Sequence, residues 1–111
     1  MLDKATVREI ALKYTKEVCK TLNPKSVILF GSHVNGNPHE YSDIDIAVVF
    51  NNYDGDWLGT AVLLQRLRRG IDEGLSGGIE PHMMDETSDQ SGFLAHVKKT
   101  GEIIYENRAE N

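Results

Sequence analysis

The sequence is poor in several residue types and patterns, and each shortage excludes something. Cys19 is its one cysteine, so no internal disulfide can form, and a lone Cys within a helical pattern reads as a small buried hydrophobe. Basic residues are outnumbered: 12 Lys and Arg against 17 Asp and Glu give a net charge of −5. A nucleic-acid backbone needs a basic surface, so direct nucleic-acid binding is not expected. No basic-then-apolar leader opens the chain, and no apolar run approaches a membrane span. A cytoplasmic location without membrane attachment is the expectation. Repeats, low-complexity tracts and linkers are also missing. Residues 1–111 therefore read as one domain, with 105–111 expected to fray.

What is present is an alternation of helical and β-type patterns. Val7, Ile10, Ala11, Tyr14, Val18 and Leu22 recur at helical spacing after Thr6, which stands three residues before Glu9 as in a capping box. Asn23-Pro24 ends that helix, because the residue before a proline disfavours the α region. Residues 26–30 form a continuous apolar run, as expected of a strand covered on both faces. A Gly31-Ser32 turn and short helix follow, then a polar loop over 37–41 and a second apolar strand over 44–50. A helix is expected over 56–73 from Leu58, Ala61, Val62, Leu64, Leu67 and Ile71, ended by Gly74. Residues 79–84 read as a third strand, which Pro81 places at an edge or near its first residues. A short helix through Phe93, Leu94 and Val97 and a brief strand or extended tail at 102–105 complete the chain. The fold class is α+β, a small mixed β-sheet flanked by helices.

The chemistry concentrates between Val27 and Phe50. Side chains alternate faces along a strand, so Asp43 and Asp45 project the same way, with Cα atoms roughly 6–7 Å apart. Two acids at the mouth of an apolar strand repel each other and resist desolvation. A bound divalent cation removes both objections. Gly31-Ser32 offers backbone N–H groups and a hydroxyl, the usual means of gripping a phosphate. Ser42, beside the first acid, can hydrogen-bond the loop backbone and hold that carboxylate's rotamer. Metal grip and phosphate grip together suggest chemistry on a nucleoside triphosphate.

These residues resemble the nucleotidyltransferase superfamily that includes the DNA polymerase beta palm. The signature is an apolar strand, Gly31-Ser32, a short helix, Asp43-Ile44-Asp45 heading a second strand, and a third acid, Glu80, on a later one. The length and the ending Lys99-Thr100-Gly101-Glu102-Ile103-Ile104-Tyr105 are similar to the minimal nucleotidyltransferase group, often paired as antitoxins with helical HEPN-type toxins. The resemblance implies a polymerase beta palm-like fold. It also implies two Mg²⁺ ions held by Asp43, Asp45 and Glu80, with those acids catalytic. Gly31, Ser32 and Ser42 would bind the nucleotide. The implied reaction moves AMP from ATP to a hydroxyl of the HEPN partner. A catalytically weak module that silences its partner by binding alone is the rival reading, and a nucleotide sensor a third; self-association is left open. The chain departs from many relatives in having His33 and Asn35 where arginines follow Gly-Ser, in using Glu as its third acid, and in the Pro81 after it.

Blander readings stand beside these. Glu80 also suits the surface of an edge strand. His33 can touch a phosphate, but an exposed loop position is favoured. His39, His82 and Cys19 lack metal-ligand spacing with one another, so no zinc site is expected. Asp85-x-Thr87-x-Asp89 lacks the glycine and terminal glutamate of a calcium loop. Arg66, Arg68 and Arg69 suit a solvated helix face, and Met83-Met84 suits core or interface filling.

Overall fold

The structure is a computed structural model that describes residues 2–39 and 42–108. Four strands, β1 (Ser26–Phe30), β2 (Ile44–Phe50), β3 (Ile79–Asp85) and β4 (Glu102–Glu106), form one sheet in the order β3-β2-β1-β4. Pairing is antiparallel between β1 and β2 and between β1 and β4, and parallel between β2 and β3. The sheet is mixed, as expected.

Strand alternation divides the apolar residues into two cores. On one face Val27, Leu29, Ile44, Ile46, Val48, Phe50 and Ile79 pack against α1 (Lys4–Thr21) and α3 (Trp57–Arg66). On the other, Ile28, Phe30, Ala47 and Val49 pack against Leu94 and Val97 of α4 (Phe93–Thr100). Every residue of β1 is buried, so the continuous apolar run does mark a strand covered on both sides. Met83 and Met84 point to opposite faces, one against each core. Tyr14 ties α1 to α3: its buried hydroxyl donates to the Leu64 carbonyl at 2.7 Å, and burial pushes its pKa up.

Several expectations need correction. The N-cap of α1 is Asp3, whose carboxylate accepts from the Thr6 N–H at 2.8 Å, and Thr6 lies inside the helix. The earlier start winds a full turn ahead of Val7, which is 2% exposed. Helix α3 ends at Arg66, not near residue 73, because Gly70 takes a φ of 78° and interrupts the spiral. Leu67, Ile71 and Leu75 still reach the core from the turns that follow. Arg68 lies in those turns rather than on a solvated helix face. It meets Asp72 Oδ2 and the Ile79 carbonyl, both at 3.2 Å, and Asp72 accepts from the Ile79 N–H at 2.9 Å. The open edge of β3 is thereby covered at its first residue. Cys19 is exposed rather than buried. Tyr105 and Glu106, expected to begin a frayed tail, pair with Val27 and Ser26; residues 109–111 lie outside the described residues. No helix among the described residues is long and apolar enough to cross a membrane.

Candidate active site

The expected turn forms as read. Gly31 adopts φ 85° and ψ −156°, a conformation open to glycine almost alone, and α2 (Ser32–Asn35) begins immediately after it. A Cβ on Gly31 would collide with Asp45 Oδ2 and stand only 3.2 Å from Asp45 Cγ. Glycine is needed here twice over, for the backbone angle and for room beside a carboxylate.

Strand register brings the acids together. Asp45 sits opposite Phe30 on β1 and opposite Glu80 on β3, on the face that α4 covers further along. Asp43 precedes β2 and is exposed; among the described residues it is not in the group whose ligand atoms lie within 4.8 Å of one another. Loss of hydration raises the Glu80 pKa, the hydrogen bond with Asp43 raises it further, and the charges of Asp45 and Asp43 add to this against the pull of His82. Glu80 is exposed on an edge strand, as its plainer reading expects, and it stands beside Asp45.

The structure adds a residue that sequence reasoning missed. His82 Nε2 lies 3.1 Å from Asp45 Oδ1, and its ring packs edge-on against Phe30 with centroids 5.0 Å apart. The Asp45 hydrogen bond raises the His82 pKa; partial burial opposes this, and the Asp45 and Glu80 charges reinforce it. Ligand atoms of Asp45, Glu80 and His82 all lie within 4.8 Å of one another, close enough to share an ion. The signal was the two-residue step from Glu80 to His82, which puts both on one face of β3. Comparing histidines only with one another and with Cys19 overlooked it. Carboxylate oxygens suit Mg²⁺ and Mn²⁺, so the donor set fits a divalent cation.

Other candidates make local contacts. Ser42 Oγ accepts from the His39 N–H at 2.8 Å, and its carbonyl meets His33 Nε2 at 3.2 Å. Ser42 thus bonds the loop backbone just ahead of Asp43. His33, expected in an exposed loop, is 7% exposed and is held by that contact. Both residues border a cavity of about 180 Å³ shared with Leu2, His39 and the turn at 74–77. Asp85 accepts from the Tyr53, Asn52 and Thr87 N–H groups, and Asp89 from those of Leu94 and Ala95. Those two acids organise turns and a helix start.

Fold and acid geometry define a class of protein. A family profile described as polymerase beta, nucleotidyltransferase, matches residues 13–110, and the chain belongs to that family. It is 43% identical over 44 residues to a candidate protein adenylyltransferase of Methanocaldococcus jannaschii; the match spans 40% of this chain and 51% of that protein. Among solved structures, a candidate nucleotidyltransferase from Sulfolobus solfataricus superposes with a TM-score of 0.68 at 22% identity, over 96% of this chain and 86% of that one. A mutant of the toxin–antitoxin MntA–HpeT gives a TM-score of 0.62 at 23% identity, over 86% and 73% of the respective chains. At such identities the structural likenesses speak for the fold.

Proposed function

We propose that this protein transfers a nucleoside monophosphate, AMP from ATP, to a hydroxyl of a partner protein, and that it is the antitoxin of a pair whose toxin is a HEPN-type protein. What supports this reading is the placing of Asp45 opposite Glu80 across β2 and β3, beside the Gly31 bend, with Asp43 just ahead of β2. The kinship with a candidate protein adenylyltransferase and the likeness to a toxin–antitoxin structure point the same way.

Gly31 lets the triphosphate approach the backbone, and Ser32 donates to its oxygens. Asp43 and Asp45, with Glu80, would hold Mg²⁺, which when bound would neutralise the charge on the triphosphate. Glu80 either completes that ion site or takes the proton of the attacking hydroxyl. That oxygen bonds to the α-phosphorus as the bond to pyrophosphate breaks, so the chain's main contribution is alignment. Glu80 lies on an edge strand, and a docking protein can bring its hydroxyl to it. His33 and Asn35, in place of basic residues, leave fewer fixed positive charges near the phosphates, which favours the binding-only module as the second reading.

The test incubates the full chain with the protein encoded beside it, Mg²⁺ and ATP labelled at the α-phosphate. Label on the neighbour that disappears in Asp43→Ala and Asp45→Ala supports transfer. Full neutralisation of the neighbour by those variants, without label, would replace it with binding alone.

A further inference from the structure

The histidine beside the acids is not accounted for by the reaction just described. His82 enters the cluster through strand geometry: it pairs with Ala47 two residues after Glu80 pairs with Asp45, so one face of β3 presents a carboxylate and then an imidazole. Its ring is half-buried and set by the edge-on contact with Phe30. The nitrogen facing Asp45 is Nε2, the outer atom of the ring and the one an ion can approach. Two ligands at right angles on an ion with bonds of about 2.1 Å stand about 3.0 Å apart. Nε2 and Oδ1 are separated by 3.1 Å, near that spacing, and Glu80 closes the group within 4.8 Å.

We propose that His82 is itself a ligand of the divalent ion, and that its nitrogen biases the site toward a first-row transition ion, Mn²⁺, over Mg²⁺. The inference rests on the reading of Asp45 and Glu80 as part of an ion site. Oxygen-only sites serve Mg²⁺ well, because that ion prefers hard donors and keeps its waters. An imidazole gives less to Mg²⁺ than to Mn²⁺, which accepts both carboxylate and nitrogen. Among the described residues this is the one group of three or more His, Cys, Asp or Glu side chains close enough to hold an ion, and it contains a histidine.

Calorimetric titration of the full chain with MnCl₂ and with MgCl₂, joined to pulsed EPR of the Mn²⁺ form, tests this directly. His82→Ala is expected to weaken Mn²⁺ binding about tenfold or more while changing Mg²⁺ binding by less than about threefold. The wild-type EPR signal should show coupling to an imidazole nitrogen, absent in the variant. His82→Gln keeps an amide that can donate to Asp45 but has no imidazole, and it should fail to restore Mn²⁺ affinity. Restoration by Gln, equal weakening of both ions, or a wild-type signal without nitrogen coupling would reduce His82 to a residue that merely orients Asp45. Ion binding that depends on Asp45 but ignores His82 overturns this proposal alone. Ion binding that is absent, or indifferent to Asp45→Asn, removes the ion site and with it the transfer reading.

Discussion

Replacing Gly31 by alanine probes the joint between the Gly31 turn and Asp45. The backbone at φ 85°, ψ −156° suits glycine almost alone, and an L-residue there costs about 1–3 kcal/mol. The added methyl would also strike the Asp45 carboxylate, whose Cγ and Cβ lie 3.2 and 3.3 Å from its position. Asp45 must then turn off its rotamer, at about 0.5–1.5 kcal/mol. In turning it gives up the His82 contact, about another 0.5–1.5 kcal/mol. The sum is roughly 2–6 kcal/mol against a typical total of about 5–15 kcal/mol. A urea midpoint lowered by about 1–2 M and a Tm lowered by on the order of 10 °C should follow. Gly36→Ala is the control: its φ is 91°, yet nothing lies within 4 Å of the added carbon, so it carries backbone strain without collision. Gly31→Ala should therefore be the worse variant by at least about 1 kcal/mol. Shortening the struck side chain in the double variant Gly31→Ala, Asp45→Ala should return part of the loss. Equal midpoints for the two glycine variants, or no relief in the double variant, would refute the placing of Asp45 against this turn.

Other predictions concern the supports. The Thr87 side chain, followed by the Tyr53, Thr87 and Asn52 backbone N–H groups, lowers the Asp85 pKa to about 2 from an ordinary 3.8. A lowered folded-state pKa means that the contribution is complete above the unfolded value and fades as pH falls through the folded one. Asp85→Asn should thus cost about 1 kcal/mol near neutrality, with the gap to wild type closing between pH 4 and pH 2 in urea titrations; a gap independent of pH would contradict it. Tyr14→Phe leaves the Leu64 carbonyl without its buried donor and should lower stability by about 1–2 kcal/mol in the same assay. Asp89→Ala takes the acceptor from the Leu94 and Ala95 N–H groups and should cost about 1 kcal/mol. Faster hydrogen exchange confined to α4 would mark that loss, and unchanged exchange would count against it.

Much of this arrangement is legible in the amino-acid order alone. Continuous apolar runs identify β1 and β2, and the two-residue step from Glu80 to His82 puts both on one face of β3. The legible features are local, set by alternation and by a glycine that no other residue replaces. Where two local patterns compete, the choice falls to packing. The Thr6–Glu9 spacing suggests a cap, but Asp3 caps the helix through the Thr6 N–H, and the earlier start lets Val7 be buried. Leu67 and Ile71 keep helical spacing beyond α3 because turns can also return side chains to a core at that interval. His82 and Arg68 take their roles from partners 37 and 11 residues away, and no short window contains such a pair. His33 is buried by the turn that its own imidazole fastens to Ser42.

The split of β2 and β3 between two cores has an evolutionary edge. Odd and even positions along these strands answer to different demands, one set to the α1 and α3 layer, the other to Asp45, Glu80 and His82. Sliding β3 by a single residue would send Ile79 to solvent and both functional side chains into hydrocarbon. Selection for a well-packed interior therefore also guards the alignment of the acids. Substitutions that loosen strand pairing should spread Asp45, Glu80 and His82 apart before they lower the melting point.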